Sequence, residues 1–193
     1  MLIKVIGFDP SLTHWGIAQG IFNCVTDQLE IDTIDLITTE KSHEKSVARR
    51  CDDMARAEKL YKGVLPYTVG AGAIFAEVPI GSQTASAMKS YGICTALLGA
   101  LQAHDCPIYV ISPAEVKNAL TGNPTASKAA MIKAASEQYP HLAWPTKYRK
   151  GIASIISGDA EHMADAIGAL VAGINQPAFK QLKALYMRNT HGN

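Results

Sequence analysis

The chain opens on a nearly unbroken apolar run from Leu2 to Phe8, short and rich in β-branched residues, which predicts a buried strand. The stretch 15–22, with Trp15, Ile17 and Phe22, reads as its hairpin partner, and 30–39, with Ile31, Ile34, Leu36 and Ile37, as a third strand. From about Glu44 the spacing of Val47, Cys51, Met54, Tyr61 and Leu65 predicts an amphipathic helix, with Arg49, Arg50, Asp53 and Arg56 turned away from its buried face. A second apolar run, 73–76, predicts a strand that ends at Glu77. It is followed by a helix over roughly 85–104 and a short strand at 108–111. Ser112, Pro113 and Glu115 together form a helix start, with a cap, a proline in the first turn and a closing capping box. A turn at 121–124, a helix to about Gln138, an irregular stretch over 140–158, a helix around Asp165 and a tail helix after Pro177 complete the pattern. Strands first and helices afterwards predict an α/β domain around one mixed sheet, spanning 1–176, with 177–193 as a helical tail.

The helix at 85–104 is apolar nearly all round, since Met88, Ile93, Cys94, Leu97, Leu98 and Leu101 fall on different faces. Gly92, Ala96, Gly99, Ala100 and Ala103 would let another backbone approach it closely. Two readings stand: burial within the domain alone, or packing on the sheet at one side and on a second copy of the chain at the other.

Composition narrows the class. A chain of 193 residues with 48% hydrophobic side chains can build one real core. A net charge of +1 removes any global attraction to nucleic acid, so a nucleic-acid surface must be local. Cys24, Cys51, Cys94 and Cys106 lack metal-ligand spacing and are expected to be reduced thiols. The first apolar run stops at Asp9 and no run is long enough to span a bilayer, so a cytoplasmic location without membrane contact is expected.

Three acids sit where an acid is costly. Asp9 and Glu77 end core strands, and Asp165 lies in an alanine-rich helix. A carboxylate in apolar surroundings persists by pairing, protonation or metal binding. Phosphodiester hydrolysis with two divalent cations needs acids from separate elements, whose oxygens bridge ions about 4 Å apart. His162 lies at i−3 from Asp165 and shares its face, and Glu161 at i−4 competes for the same role. Gly168, one turn later, would leave room beside the site. The segment 144–150 interleaves Trp144 and Tyr148 with Lys147, Arg149 and Lys150. It can either grip a DNA backbone and stack on unpaired bases, or form a solvated loop with Trp144 pinned to the core.

Four blocks, in order, resemble the RuvC family of Holliday-junction resolvases. Gly7, Asp9, Pro10 and Gly16 are similar to its opening strand, and Glu77 with Thr84, Ser86, Lys89 and Gly92 to its catalytic Glu and the following helix start. Pro113, Val116, Lys117, Gly122, Ala126 and Lys128 form the third block, and His162 three residues before Asp165 the fourth. The resemblance implies a ribonuclease-H-like mixed five-stranded sheet flanked by helices. It also implies an endonuclease that resolves four-way DNA by paired symmetric nicks in recombination and repair. Asp9, Glu77, Asp165 and His162 would be catalytic and hold Mg2+, with Mn2+ able to substitute because imidazole is an unusual magnesium ligand. Lys117, Lys128, Thr84 and Lys89 would contact DNA, alongside Lys147 and Arg149 of the basic segment. It favours a homodimer through the 85–104 helix, because two equivalent sites suit a junction of two-fold symmetry.

There are departures: Val78, Pro79, Ile80 and Gly81 replace an aromatic-bearing stretch, Ser11 stands where a glycine is usual, and the 128–162 connection is long. They are similar to what a divergent, phage-type member would show. Alternative readings are a nuclease acting on flaps, forks or structured RNA, and a catalytically silent junction-binding protein. A sugar-kinase or actin-like ATPase is disfavoured, since a second phosphate loop and a late Gly-Gly motif are lacking.

Overall fold

A computed structural model of the chain describes residues 1–44, 46–79, 84–105, 107–149 and 152–189. Its main sheet has five strands in the order β3-β2-β1-β4-β5. These are β1 (Leu2–Asp9), β2 (His14–Asn23), β3 (Gln28–Thr38), β4 (Ala73–Glu77) and β5 (Ile108–Ile111). The first three form an antiparallel meander, whereas β4 and β5 run parallel to β1. This is the mixed five-stranded sheet the family resemblance implies.

Helices cover both faces. On one side α1 (Arg49–Thr68) and α2 (Ala85–Gln102) bury Leu60, Val64, Leu98 and Leu101 against Ile6, Phe8, Ile17 and Ile74. On the other lie α3 (Pro113–Thr121), α4 (Lys128–Gln138), α5 (Ser157–Ile174) and α6 (Pro177–Asn189), packed on Val5, Ala18, Ile31 and Phe75. Alternate residues of each strand supply the two cores, as the pleat requires. Helix α6 is tied in by Phe179, fully buried with its ring 5.2 Å from Phe22 and 5.3 Å from Phe75. Among the described residues no helix is long and apolar enough to cross a membrane. Cys24, Cys51 and Cys94 are free thiols, and Cys106 lies outside the described residues.

Two expectations are corrected. Helix α1 begins at Arg49 rather than near Glu44, and its buried residues are Arg56, Leu60, Val64 and Thr68. Cys51, Met54 and Leu65 of the expected apolar stripe face solvent instead. Arg56 is buried among polar partners, the Leu12 carbonyl and the Thr39 hydroxyl, a placement that hydrophobic periodicity cannot register. The stretch expected to be irregular holds a separate two-stranded ribbon, β6 (Thr146–Arg149) and β7 (Ile152–Ile155), paired antiparallel. Its strands are short and largely exposed, so they carry no apolar-polar alternation for a sequence pattern to reveal.

Candidate active site

The pairing of β1 with β4 sets Phe8 beside Ala76, so the next residues, Asp9 and Glu77, close neighbouring parallel strands at the same end. Both continue the alternation that points Val5 and Phe75 to the α5 side. Helix α5 crosses there almost in contact with the strand backbone. A Cβ on Gly7 would lie 2.0 Å from the Ala166 carbonyl oxygen, and one on Gly16 would lie 2.0 Å from that of His162. The two glycines of the first block are therefore close-approach positions, and they bring one turn of α5 onto Asp9. There the His162 Nδ1–H donates to Asp9 Oδ2 at 2.5 Å.

Glu77 and Asp165 act on each other with too little positive charge around them. Burial, then the negative charges of Asp9 and Asp165, push the Glu77 carboxyl up to about 9, with Lys117 offsetting only part. Burial, then Asp9 and Glu161, push Asp165 up to about 7 against His162 and Lys117. Burial alone would lower the His162 imidazole, but the Asp9 hydrogen bond and the charges of Asp9, Glu161 and Asp165 hold it above its ordinary value. Carboxylates crowded in this way lack a counter-charge, and their hard oxygen donors fit a divalent cation of the magnesium type. Among the described residues no three His, Cys, Asp or Glu side chains form a ready-made cage. Such ions typically take one or two carboxylates and complete their shell with water and substrate phosphate.

Helix α3, started by the Ser112–Glu115 capping box, sets Lys117 near Glu77 and Asp165. Gly168 serves this docking rather than the site: Val116, not open space, fills the room beside it, with Cγ1 2.7 Å from a Cβ built there. Glu161 faces the same acids, and its carboxylate binds Lys128 Nζ at 2.5 Å. Thr84 caps α2 by accepting from the Ala87 N–H at 3.2 Å. Lys89 is held by Asp53 at 2.8 and 3.0 Å. Thr84 and Lys89 line a cleft of about 1020 Å³ together with Asp9 and Glu77 and with Arg49 and Arg56 of α1. Lys147 stands on β6; the side chain of Arg149 lies outside the described residues. Trp144 is pinned, its indole N–H donating to the Tyr139 carbonyl at 3.0 Å, so Tyr148, 78% exposed, is the aromatic the ribbon presents.

Sequence reasoning missed His14 and Arg56. The His14 ring stacks on that of His162, centroids 5.1 Å apart and planes 3° from parallel, and its Nε2 stands 4.0 Å from Asp159. The β1–β2 hairpin brings His14 back past Asp9, a placement available from strand pairing alone. Arg56 gave no such signal.

No protein-family model matches the chain, and no curated protein matches it. Solved structures do. RuvC of T. thermophilus, in complex with a Holliday junction substrate, superposes with a TM-score of 0.60 at 17% identity, covering 88% of this chain and 92% of that one. Fowlpox virus resolvase, in complex with Holliday junction DNA, superposes with a TM-score of 0.54 at 8% identity over 95% of this chain and 99% of that one. The chain thus has the ribonuclease-H-like fold of these resolvases.

Proposed function

We propose that this chain is a divalent-metal-dependent endonuclease that resolves four-way DNA junctions. The observation that carries the reading is the convergence of Asp9, Glu77 and Asp165, from two strand ends and one helix, inside a fold shared with two junction-bound resolvases. Asp9, Glu77 and Asp165 would hold Mg2+, or Mn2+ in its place, with His162 as the fourth group. Bound there, the metal supplies activated water and counter-charge for the leaving oxygen.

The chain's own residues do the rest. His162 orients the Asp9 carboxylate through its 2.5 Å hydrogen bond. Lys117 brings positive charge to the acids, where a scissile phosphate would gather negative charge. Lys128, 77% exposed on its side chain, can exchange Glu161 for a backbone phosphate. Thr84 and Lys89, which line the cleft, would receive the strand there, while Lys147 and Tyr148 would meet a branch of the junction from the ribbon. The outward face of α2, lined by Gly92, Ala96, Gly99 and Ala103, is where a second copy would pack to form a homodimer.

The test is cleavage of a labelled four-way junction beside matched linear, flap and forked DNA, with and without Mg2+ and with Asp9→Asn as control. Paired symmetric nicks that need both metal and Asp9 establish a resolvase. Equal cutting of flaps and forks makes it a general branch nuclease, and tight junction binding without cutting makes it a binding protein.

A further inference from the structure

The turn between Asp9 and His14 is fastened from outside. The Leu12 N–H donates to Ser90 Oγ on α2 at 3.1 Å. The Leu12 carbonyl accepts both Thr39 Oγ1–H at 2.5 Å and Arg56 Nη2–H at 3.2 Å. Arg56 Nε–H in turn donates to Thr39 Oγ1 at 3.0 Å, and the Thr39 N–H donates to the Thr13 carbonyl at 2.9 Å. One residue of this turn, Leu12, is thus held through both its N–H and its carbonyl by α1, α2 and the residue after β3 together.

Arg56 is an expensive way to do this. It is 4% exposed, and its Nη1 has no hydrogen-bond partner among the described residues. The Asp53 carboxylate stands 4.0 Å from Nη1, with its oxygens given to Lys89 instead. A buried guanidinium with an unmet donor costs stability, and an apolar side chain of similar volume would cost less. What the arginine provides is one directed donor to Leu12, on the segment that leads out of Asp9 and carries His14 onto the His162 ring, and a second to the Thr39 hydroxyl that binds the same Leu12 carbonyl.

We infer that Arg56 is a positioning residue for the active site, clamping the turn that sets Asp9 and His14 and linking that turn through Asp53 and Lys89 to the substrate cleft. The inference rests on the reading of Asp9 as a metal ligand. The groups around a ligand set its orientation, and changing them typically weakens metal binding or activity by about 10- to 100-fold.

The experiment compares wild type with Arg56→Lys, Arg56→Gln and Thr39→Val by four readouts: melting temperature, Mn2+ binding by calorimetry, junction affinity in EDTA, and single-turnover cleavage. Arg56→Gln is expected to weaken Mn2+ binding about tenfold and to slow cleavage on the order of 100-fold, with junction affinity near wild type. Arg56→Lys is expected to rescue little, because a lysine cannot reach Leu12 and Thr39 with two fixed donors. A folded Arg56→Gln chain with wild-type Mn2+ affinity and rate would overturn the inference, whatever its melting temperature. Should Arg56→Gln not fold, Thr39→Val decides, since it removes only the shared hydroxyl; unchanged Mn2+ affinity there also overturns it. Failure of the wild type to cut any branched DNA counts against the nuclease reading instead, and the Mn2+ isotherms still judge the clamp.

Discussion

Asp165 shows how much a single side chain can be asked to do. It is half-buried beside Asp9 and Glu161, and its carboxyl is pushed up to about 7, so it gains from any cation that enters. Asp165→Asn removes the charge and keeps the shape. Cleavage should be abolished while junction affinity in EDTA holds or tightens, because repulsion of phosphate falls and Lys117 and Lys128 remain. Gel-shift and cleavage assays on the same preparation check this, and joint loss of both in a folded variant would count against a catalytic role. The same carboxylates also set the pH dependence of the metal-free chain. Glu77, faced by Asp9, Asp165, Glu161 and Lys117, titrates at about 9 folded, far above its value of about 4.3 when unfolded. Between those values the folded chain binds more protons than the unfolded one, so stability is full at low pH and declines as pH rises. Asp165 adds the same sign up to about 7. The melting temperature in EDTA should therefore fall from about pH 5 towards pH 9, and excess Mg2+ should flatten the slope. Identical slopes with and without Mg2+ would mean that the acids do not bind it.

Elements decide whether these side chains meet. Helix α5 reaches Asp9 only because Gly7 and Gly16 let backbone lie on backbone. Gly16→Ala sets a methyl group 2.0 Å from the His162 carbonyl oxygen and 2.5 Å from its carbon, atoms that cannot turn aside. Overpacking of this kind costs roughly 1–3 kcal/mol. Since the helix must lift at His162, cleavage should fall further than stability does. Gly158→Ala, where a Cβ meets nothing within 4 Å, is the control and should melt at or above the wild-type temperature. Much of this was legible beforehand. The strand ends at Asp9 and Glu77, the capping box at Ser112 and the face shared by His162 and Asp165 all follow local rules that tertiary structure left in force. Arg56 and the ribbon were not legible. One is buried through partners distant in sequence, and the other is a hairpin with no core to face. For the ribbon, the expectation moves from Trp144 to its exposed neighbours. Tyr148→Ala with Lys147→Ala should weaken junction affinity at physiological salt without lowering the melting temperature, since neither side chain supports the core. Unchanged affinity would make the ribbon a solvated hairpin.

For the whole molecule, symmetry matters more than charge. At a net charge of +1 the chain has no broad field to draw in DNA, so the proposed affinity for a junction would have to come from local cations and from engaging it at more than one point. Under the proposed function a single site would also face a problem of order, because the first nick would relax the junction that the second nick needs. Two sites related by a two-fold axis would remove it, and in the proposed homodimer α2 would lie on that axis. Its inner side is buried in the core beneath Leu98 and Leu101. Its outer side exposes Gly92, Ala96, Gly99 and Ala103 in one stripe, with Met88 half exposed beside them. Nothing lies within 4 Å of a Cβ built on Gly92 or Gly99, so a partner helix can approach closely. The wild type should sediment at twice the chain mass and convert a cruciform plasmid directly to linear product. Ala96→Glu, which places a charge in the middle of that stripe, should sediment as a folded monomer and accumulate nicked circles, with the first nick slowed far less than the second. Nicked circles from the wild type itself, or an Ala96→Glu chain that remains a dimer and still linearises the plasmid, would show that the two cuts are coupled by some other surface.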